Sequence, residues 1–134
     1  MLAFSKEWIE ALAEKLKNDQ EYQKAAEGFD SRFQFIVEPE PAKGVNERYA
    51  VGLFAPQCDE VWEGIRKDVD YTLSGPYGVF VDILHGKIGA TKAMVTRKLR
   101  LKGNMTNLLK YKRAVDLFVG ALGEVDTEFE GDYA

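Results

Sequence analysis

YTLSGPYGVFVDILHGKIGATKAMVTRKLRLKGNMTNLLKYKRAVDLF, residues 71–118, changes its hydrophobic period several times. Val69–Leu73 has the β-branched and aromatic content of a strand. Pro76 then opens a helix, at a position where the missing amide donor costs nothing. That helix buries Val79, Phe80, Ile83 and Leu84 and is stopped by Gly86. Arg97–Lys102 reads as a basic strand with Leu99 and Leu101 on one face and Lys98, Arg100 and Lys102 on the other. Gly103-Asn104 is a turn that needs a left-handed residue. Asn104 or Thr106 caps a final helix, in which Leu108, Tyr111, Val115, Phe118 and Leu122 step by three and four and Leu109 widens the stripe.

Upstream, Ser5 is a good N-cap for a helix to about Asn18, whose buried face is Trp8, Ile9, Leu12, Ala13 and Leu16. Asp19 caps a short second helix carrying Tyr22, Ala25 and Ala26, ended by Gly28. From Arg32 the period falls to two, with Phe33, Phe35 and Val37 against the core. Glu38-Pro39-Glu40-Pro41 halts that strand, because proline cannot donate to a ladder. A second strand spans about Arg48–Ala55, with Tyr49, Val51 and Leu53 inward and Gly52 leaving room for a close neighbour. Glu60–Arg66 is a further strand candidate. This order describes a single α+β domain, with helices packed on one face of a largely antiparallel sheet of about five strands. The domain is expected over residues 1–123, followed by an acidic, weakly patterned tail over 124–134 that frays or lies on the surface.

At 134 residues and 46% hydrophobic, the chain can bury one core but not two. It has no apolar run of the roughly 18–20 residues a bilayer span requires, and its N-terminus lacks a secretory pattern, so a cytoplasmic address is expected. The net charge of −4 conceals an asymmetry. No Asp or Glu lies between Ile83 and Val115, where nine Lys or Arg residues do; the remainder carries nine basic against 22 acidic residues. A chain so polarised can offer one face to anionic headgroups or phosphates.

Catalysis is poorly supported. His85 falls at a helix C-terminus, where imidazole usually caps carbonyls. Cys58 is the lone cysteine, beside Asp59 and Glu60, which disfavour a thiolate. No metal-ligand spacing or phosphate loop is visible, and no cofactor is expected. The basic 87–113 segment admits nucleic-acid binding as an alternative, but no aromatic residue alternates with its cations to stack bases. Phe33, Phe35, Val51, Leu53, Phe80, Leu84, Leu99, Leu101, Leu108 and Leu109, with Met94 and Met105 at the ends, are many large apolar groups for one sheet-helix layer. By their physics alone, an ordinary packed core accounts for them best.

The steps Thr72-Leu73-Ser74, Leu84-His85-Gly86-Lys87 and Arg97-Lys98-Leu99-Arg100-Leu101-Lys102-Gly103-Asn104 resemble the sterol carrier protein 2 (SCP-2) domain family. The resemblance covers nearly the whole chain, most clearly Val69–Phe118. It implies a helix-covered sheet enclosing an apolar cavity, and non-enzymatic binding, transfer or presentation of a fatty acid, fatty acyl-CoA or sterol-like lipid. It reverses the preference for a filled core. On the core-facing sides of the helices and early strands, the walls expected for such a cavity are Phe35, Leu53, Phe80, Leu84, Met94, Met105, Leu108 and Leu109, with the basic strand face Lys98, Arg100 and Lys102 expected at a headgroup or phosphate. Partners would be an acyl-chain ligand and, transiently, an anionic membrane surface. An interaction or accessory module with a filled core, or one serving a partner enzyme, is the alternative. One departure stands out: Gly75-Pro76-Tyr77-Gly78 replaces the family's usual acidic helix start.

Overall fold

The Ser5 side-chain oxygen accepts the Trp8 N–H at 3.2 Å and begins α1, Lys6–Lys17, in the computed structural model, which describes residues 1–134. Its buried residues are Trp8, Ile9, Leu12, Ala13 and Leu16, the five expected from spacing. Each such large aliphatic side chain contributes about 1.5–3 kcal/mol by leaving water. Asp19 caps α2, Gln20–Ala25, through the Tyr22 N–H at 3.0 Å.

The sheet holds β1 (Ser31–Glu38), β2 (Tyr49–Ala55), β3 (Val61–Glu63), β4 (Tyr71–Pro76) and β5 (Arg100–Lys102), in the order β3-β2-β1-β4-β5. Only β1 and β4 run parallel; every other pairing is antiparallel. The register sets Phe33 opposite Leu53 and Phe35 opposite both Val51 and Leu73, so these apolar groups share one face. The helices cover that face.

The opposite face carries a polar network. Gly52 pairs with Trp62, and a Cβ at Gly52 would lie 2.3 Å from Trp62 Cζ2, so the close neighbour expected there is the indole. Gln34 is buried yet satisfied: its Nε2 donates to the Arg66 carbonyl and Thr72 Oγ1, and its Oε1 accepts the Arg66 N–H. Those bonds hold residues around Arg66 in a loop, so β3 ends at Glu63 instead of running to Arg66.

Four helices follow in the second half: α3 (Tyr77–Leu84), α4 (Ala90–Val95), α5 (Met105–Leu109) and α6 (Lys112–Glu124). Three of these features correct the sequence reading. The helix α4 was not expected. The strand expected from Arg97 begins only at Arg100, because Arg97 takes a left-handed φ of 61° and the N–H groups of Lys98 and Leu99 both turn back to the Ala93 carbonyl. Those residues close α4, so they cannot pair with β4. The final helix is two pieces: Asn104 caps α5 through the Asn107 N–H at 3.0 Å, and the chain breaks at Lys110-Tyr111 before α6.

Residues 125–134 lie along the N-terminal segment. Ala3 N–H donates to the Glu128 carbonyl at 3.0 Å, and Glu128 N–H donates to the Met1 carbonyl at 2.7 Å. Trp8 Nε1 donates to Thr127 Oγ1 at 3.0 Å, and Val125 is buried. Beyond them, the Tyr133 hydroxyl donates to the Glu40 carboxylate.

Candidate functional site

Between the inner face of β1 and β4 and the helices α2 to α6 lies a cavity of about 80 Å³ whose nineteen lining residues are all apolar. Strand alternation supplies its floor, Phe33 and Phe35 from β1 and Leu73 from β4. The helical stripe of α3 supplies Phe80, Ile83 and Leu84, and α6 supplies Val115, Phe118 and Leu122. Met94 of α4 and Leu108 of α5 close one side, and Phe29, Tyr22 and Tyr111 close another. Phe35 meets Phe80 edge-on at 6.3 Å between ring centres, and Phe33 is backed by Tyr71, stacked on it at 5.6 Å. No charged group reaches the interior, so the cavity can take up hydrocarbon but cannot itself hold a headgroup.

The structure brings together five of the eight wall residues drawn from the sequence: Phe35, Phe80, Leu84, Met94 and Leu108. Leu53 faces the same side of the sheet but is fully buried on β2, the strand over which α1 packs, away from the cavity. Met105 is half-buried at the start of α5 and is not a wall. Leu109 points to solvent at 45% exposure, because the break at Lys110-Tyr111 turns α5 out of the line of α6. Tyr111, Val115, Phe118 and Leu122 belong to the apolar stripe legible in the final helix, and that stripe was the signal for four walls not picked from the sequence.

The three cations lie elsewhere. Leu101 pairs with Leu73 and shares the cavity side, whereas Arg100 and Lys102 pair with Ser74 and Thr72 and leave from the opposite face. Lys98 sits in the exposed turn that closes α4.

Reactive side chains are elsewhere and quiet. Cys58 is buried, and burial, more than the nearby Asp59, pushes its thiol up to about 12. The His85 backbone caps α3 by donating to the Val81 carbonyl, while its ring meets Phe129 edge-on at 5.1 Å. No three His, Cys, Asp or Glu side chains are grouped to hold a metal ion, and no helix is long and apolar enough to cross a membrane.

A family model described as the SCP-2 sterol transfer family matches residues 9–116. The chain belongs to that family. Among solved structures, a crystal structure of sterol carrier protein 2 aligns at a TM-score of 0.82 and 24% identity, over 92% of this chain and 98% of that one. A solution structure from Thermus thermophilus, described as possibly a sterol carrier protein, gives 0.84 at 24% identity over 96% and 92%. Palmitated SCP2L2 from Aedes aegypti gives 0.51 at 15% identity over 81% and 92%. These are likenesses of fold. No curated protein matches the sequence.

Within the SCP-2 family pattern, the departure at Gly75-Pro76-Tyr77-Gly78 has a local explanation. A Cβ at Gly75 would lie 2.5 Å from Leu99 Cδ2, and one at Gly78 would lie 2.3 Å from the Tyr133 hydroxyl. The acid missing from the helix start arrives from the β1–β2 connection, where Glu40 Oε1 accepts the Gly78 N–H at 2.6 Å. A carboxylate at that end of α3 is favoured by the exposed N–H groups there.

Proposed function

We propose that the protein binds one long acyl chain in this cavity and carries or presents it without changing it chemically. The observation that carries this reading is the wholly apolar lining, in a chain of a family described by sterol transfer. The palmitated Aedes aegypti relative of the same fold supports an acyl chain in preference to a sterol. A fatty acid or fatty acyl-CoA would leave its polar end outside, since nothing inside can pair with it.

The cavity is small as it stands. An apolar void of about 150 Å³ holds benzene, so a chain of fourteen or more carbons must push the walls apart. Burying roughly fourteen methylenes at about 0.8 kcal/mol each gives a gross 11 kcal/mol. Lost ligand freedom opposes this by about 4 kcal/mol or more, and moving the walls subtracts further, which places affinity near the micromolar range or weaker. Calorimetric titration with saturated fatty acids of increasing length tests this: affinity rises with length and then levels. The variant Phe80→Trp shifts the preferred chain shorter, because its added ring fills part of the wall. If the parent protein binds no fatty acid, and Phe80→Trp only destabilises it by about 1–3 kcal/mol through overpacking, the pocket is packed core and the interaction-module reading replaces this one.

A further inference from the structure

β5 closes one side of the sheet, and only the flank it turns to β4 is occupied. The outward backbone groups of Arg100–Lys102 find no acceptor or donor elsewhere in the chain, and little besides β4 packs on the strand. The register sorts its side chains. Arg100 stands opposite Ser74 and Lys102 opposite Thr72 on the face that the helices leave uncovered. Leu101, opposite Leu73, is half-buried on the cavity side. Elsewhere on the uncovered face the charges are already matched. Arg32 and Arg66 hold Glu60 and Asp68, Arg48 holds Glu38, and the Asp70 carboxylate accepts the Arg32 N–H. Arg100 and Lys102 are exposed and in no ion pair. Of the nine cations between residues 83 and 115, only Lys112 and Arg113 have one, with Asp116 and Glu21. Two hydroxyl groups lie beside the free pair. Thr72 Oγ1 accepts from Gln34 Nε2 at 3.1 Å, which leaves its own proton free to be donated.

We propose that the free flank of β5 receives an acidic strand from a partner protein, of the pattern carboxylate, apolar, carboxylate. Side chains that stand opposite each other on neighbouring strands share a face. Carboxylates two residues apart, about 7 Å along an extended chain, meet Arg100 and Lys102 on the uncovered face, with Ser74 and Thr72 behind them. The apolar residue between them covers Leu101. Backbone hydrogen bonds drive the addition, and charge selects the strand. The occupant is a protein strand because the flank offers unpaired N–H and C=O groups, which neither a bilayer nor a phosphate backbone can join as a ladder. The inference stands apart from the acyl-chain reading, since nothing need fill the cavity for a strand to add here.

The probe is the acetylated and amidated pentapeptide Thr-Glu-Val-Glu-Thr, titrated into the parent protein without fatty acid and followed by amide NMR and hydrogen exchange. Signals of residues 72–74 and 100–102 are expected to shift, the outward amides of β5 to exchange more slowly, and binding to weaken as salt screens the charges. The same peptide N-methylated at its three central residues keeps its charge but cannot form a ladder, and its affinity falls by about ten-fold or more. Arg100→Glu with Lys102→Glu loses the acidic peptide and binds Thr-Lys-Val-Lys-Thr in its place. Lys87→Glu with Lys92→Glu changes the net charge equally and leaves the parent's preference intact. Thermal melts check that both double variants are folded, and the N-methylated peptide tests the parent protein whatever they show. No shift in the parent, a response spread over all nine cations, equal binding of the N-methylated peptide, or equal losses in the two double variants overturns the inference. So does engagement of Arg100 and Lys102 by phosphatidylserine vesicles or an oligonucleotide duplex while the peptide stays free.

Discussion

Glu60 holds together the polar face that the helices leave uncovered. Its Oε1 accepts from Arg32 Nε at 3.2 Å and from Arg66 at 2.6 Å, and Arg66 lies over the Trp62 ring at 4.5 Å. The two guanidinium hydrogen bonds, from Arg32 first and Arg66 second, hold the Glu60 carboxyl below the usual carboxylate range. A carboxylate depressed in the folded state stabilises the fold fully above its unfolded value of about 4.3 and loses that contribution as pH falls toward its lower folded value. Glu60→Gln should therefore lower the melting temperature at pH 7, and the gap between variant and parent should close below about pH 4. Melting curves across that range test it; a gap that persists unchanged into acid would assign the loss to packing instead of charge. Beneath this cluster, Gly52 was readable from the sequence as a site of close approach, but its partner was not. Trp62 comes to it only through the antiparallel register of β2 and β3.

The helix α1 was legible because its apolar spacing runs unbroken for three turns behind a strong cap, so no other structure buries those five residues together. The helix α4 was not, and α5 was read only as the first turn of one continuous final helix; the reason is length. With six and five residues, each is too short to express a period, and each is too short to be stable alone. The same brevity explains the errors in the site: walls on long stripes were found or findable, whereas Leu109 was misplaced by a break that no spacing announces. Leu53 failed differently. Alternation tells which face a strand residue takes but not which helix lies overhead. Both short helices also touch the rest of the fold sparsely, and on their inner sides Met94 and Leu108 border a void. Segments with few buried contacts open at low free-energy cost. Amide hydrogens of residues 90–111 should then exchange faster than those of β1 and β2, and become more protected when palmitate is added. Exchange as slow as that of the central strands would show a rigid cover and remove the route by which the cavity widens.

The molecule is closed by its own ends. The C-terminal segment pairs with the first residues, gives Trp8 its hydrogen-bond acceptor at Thr127, and brings Glu130 N–H to the Tyr77 hydroxyl at 3.0 Å. Phe4 meets Trp8, Tyr77 and Phe80 edge-on within 5.7 Å, so this corner adjoins the wall residue Phe80. Ending the chain after Glu124 would expose Val125's site and leave the Trp8 indole without its partner, at about 2–4 kcal/mol in all. The melting temperature should fall on the order of 10 °C. A truncated chain that melts with the parent would show the segment to be an ornament of the surface and residues 1–124 to be self-sufficient.

At the far side of the sheet, β5 is three residues long and has a strand on one flank only. Its free flank presents unpaired backbone groups that another chain could extend, yet Arg100 and Lys102 leave a second copy little to build on. Two copies meeting edge to edge would bring like charges together along a ladder too short to offset them. Arg100 and Lys102 thus keep the protein from polymerising through its sheet, and neutralising them would be felt first as aggregation.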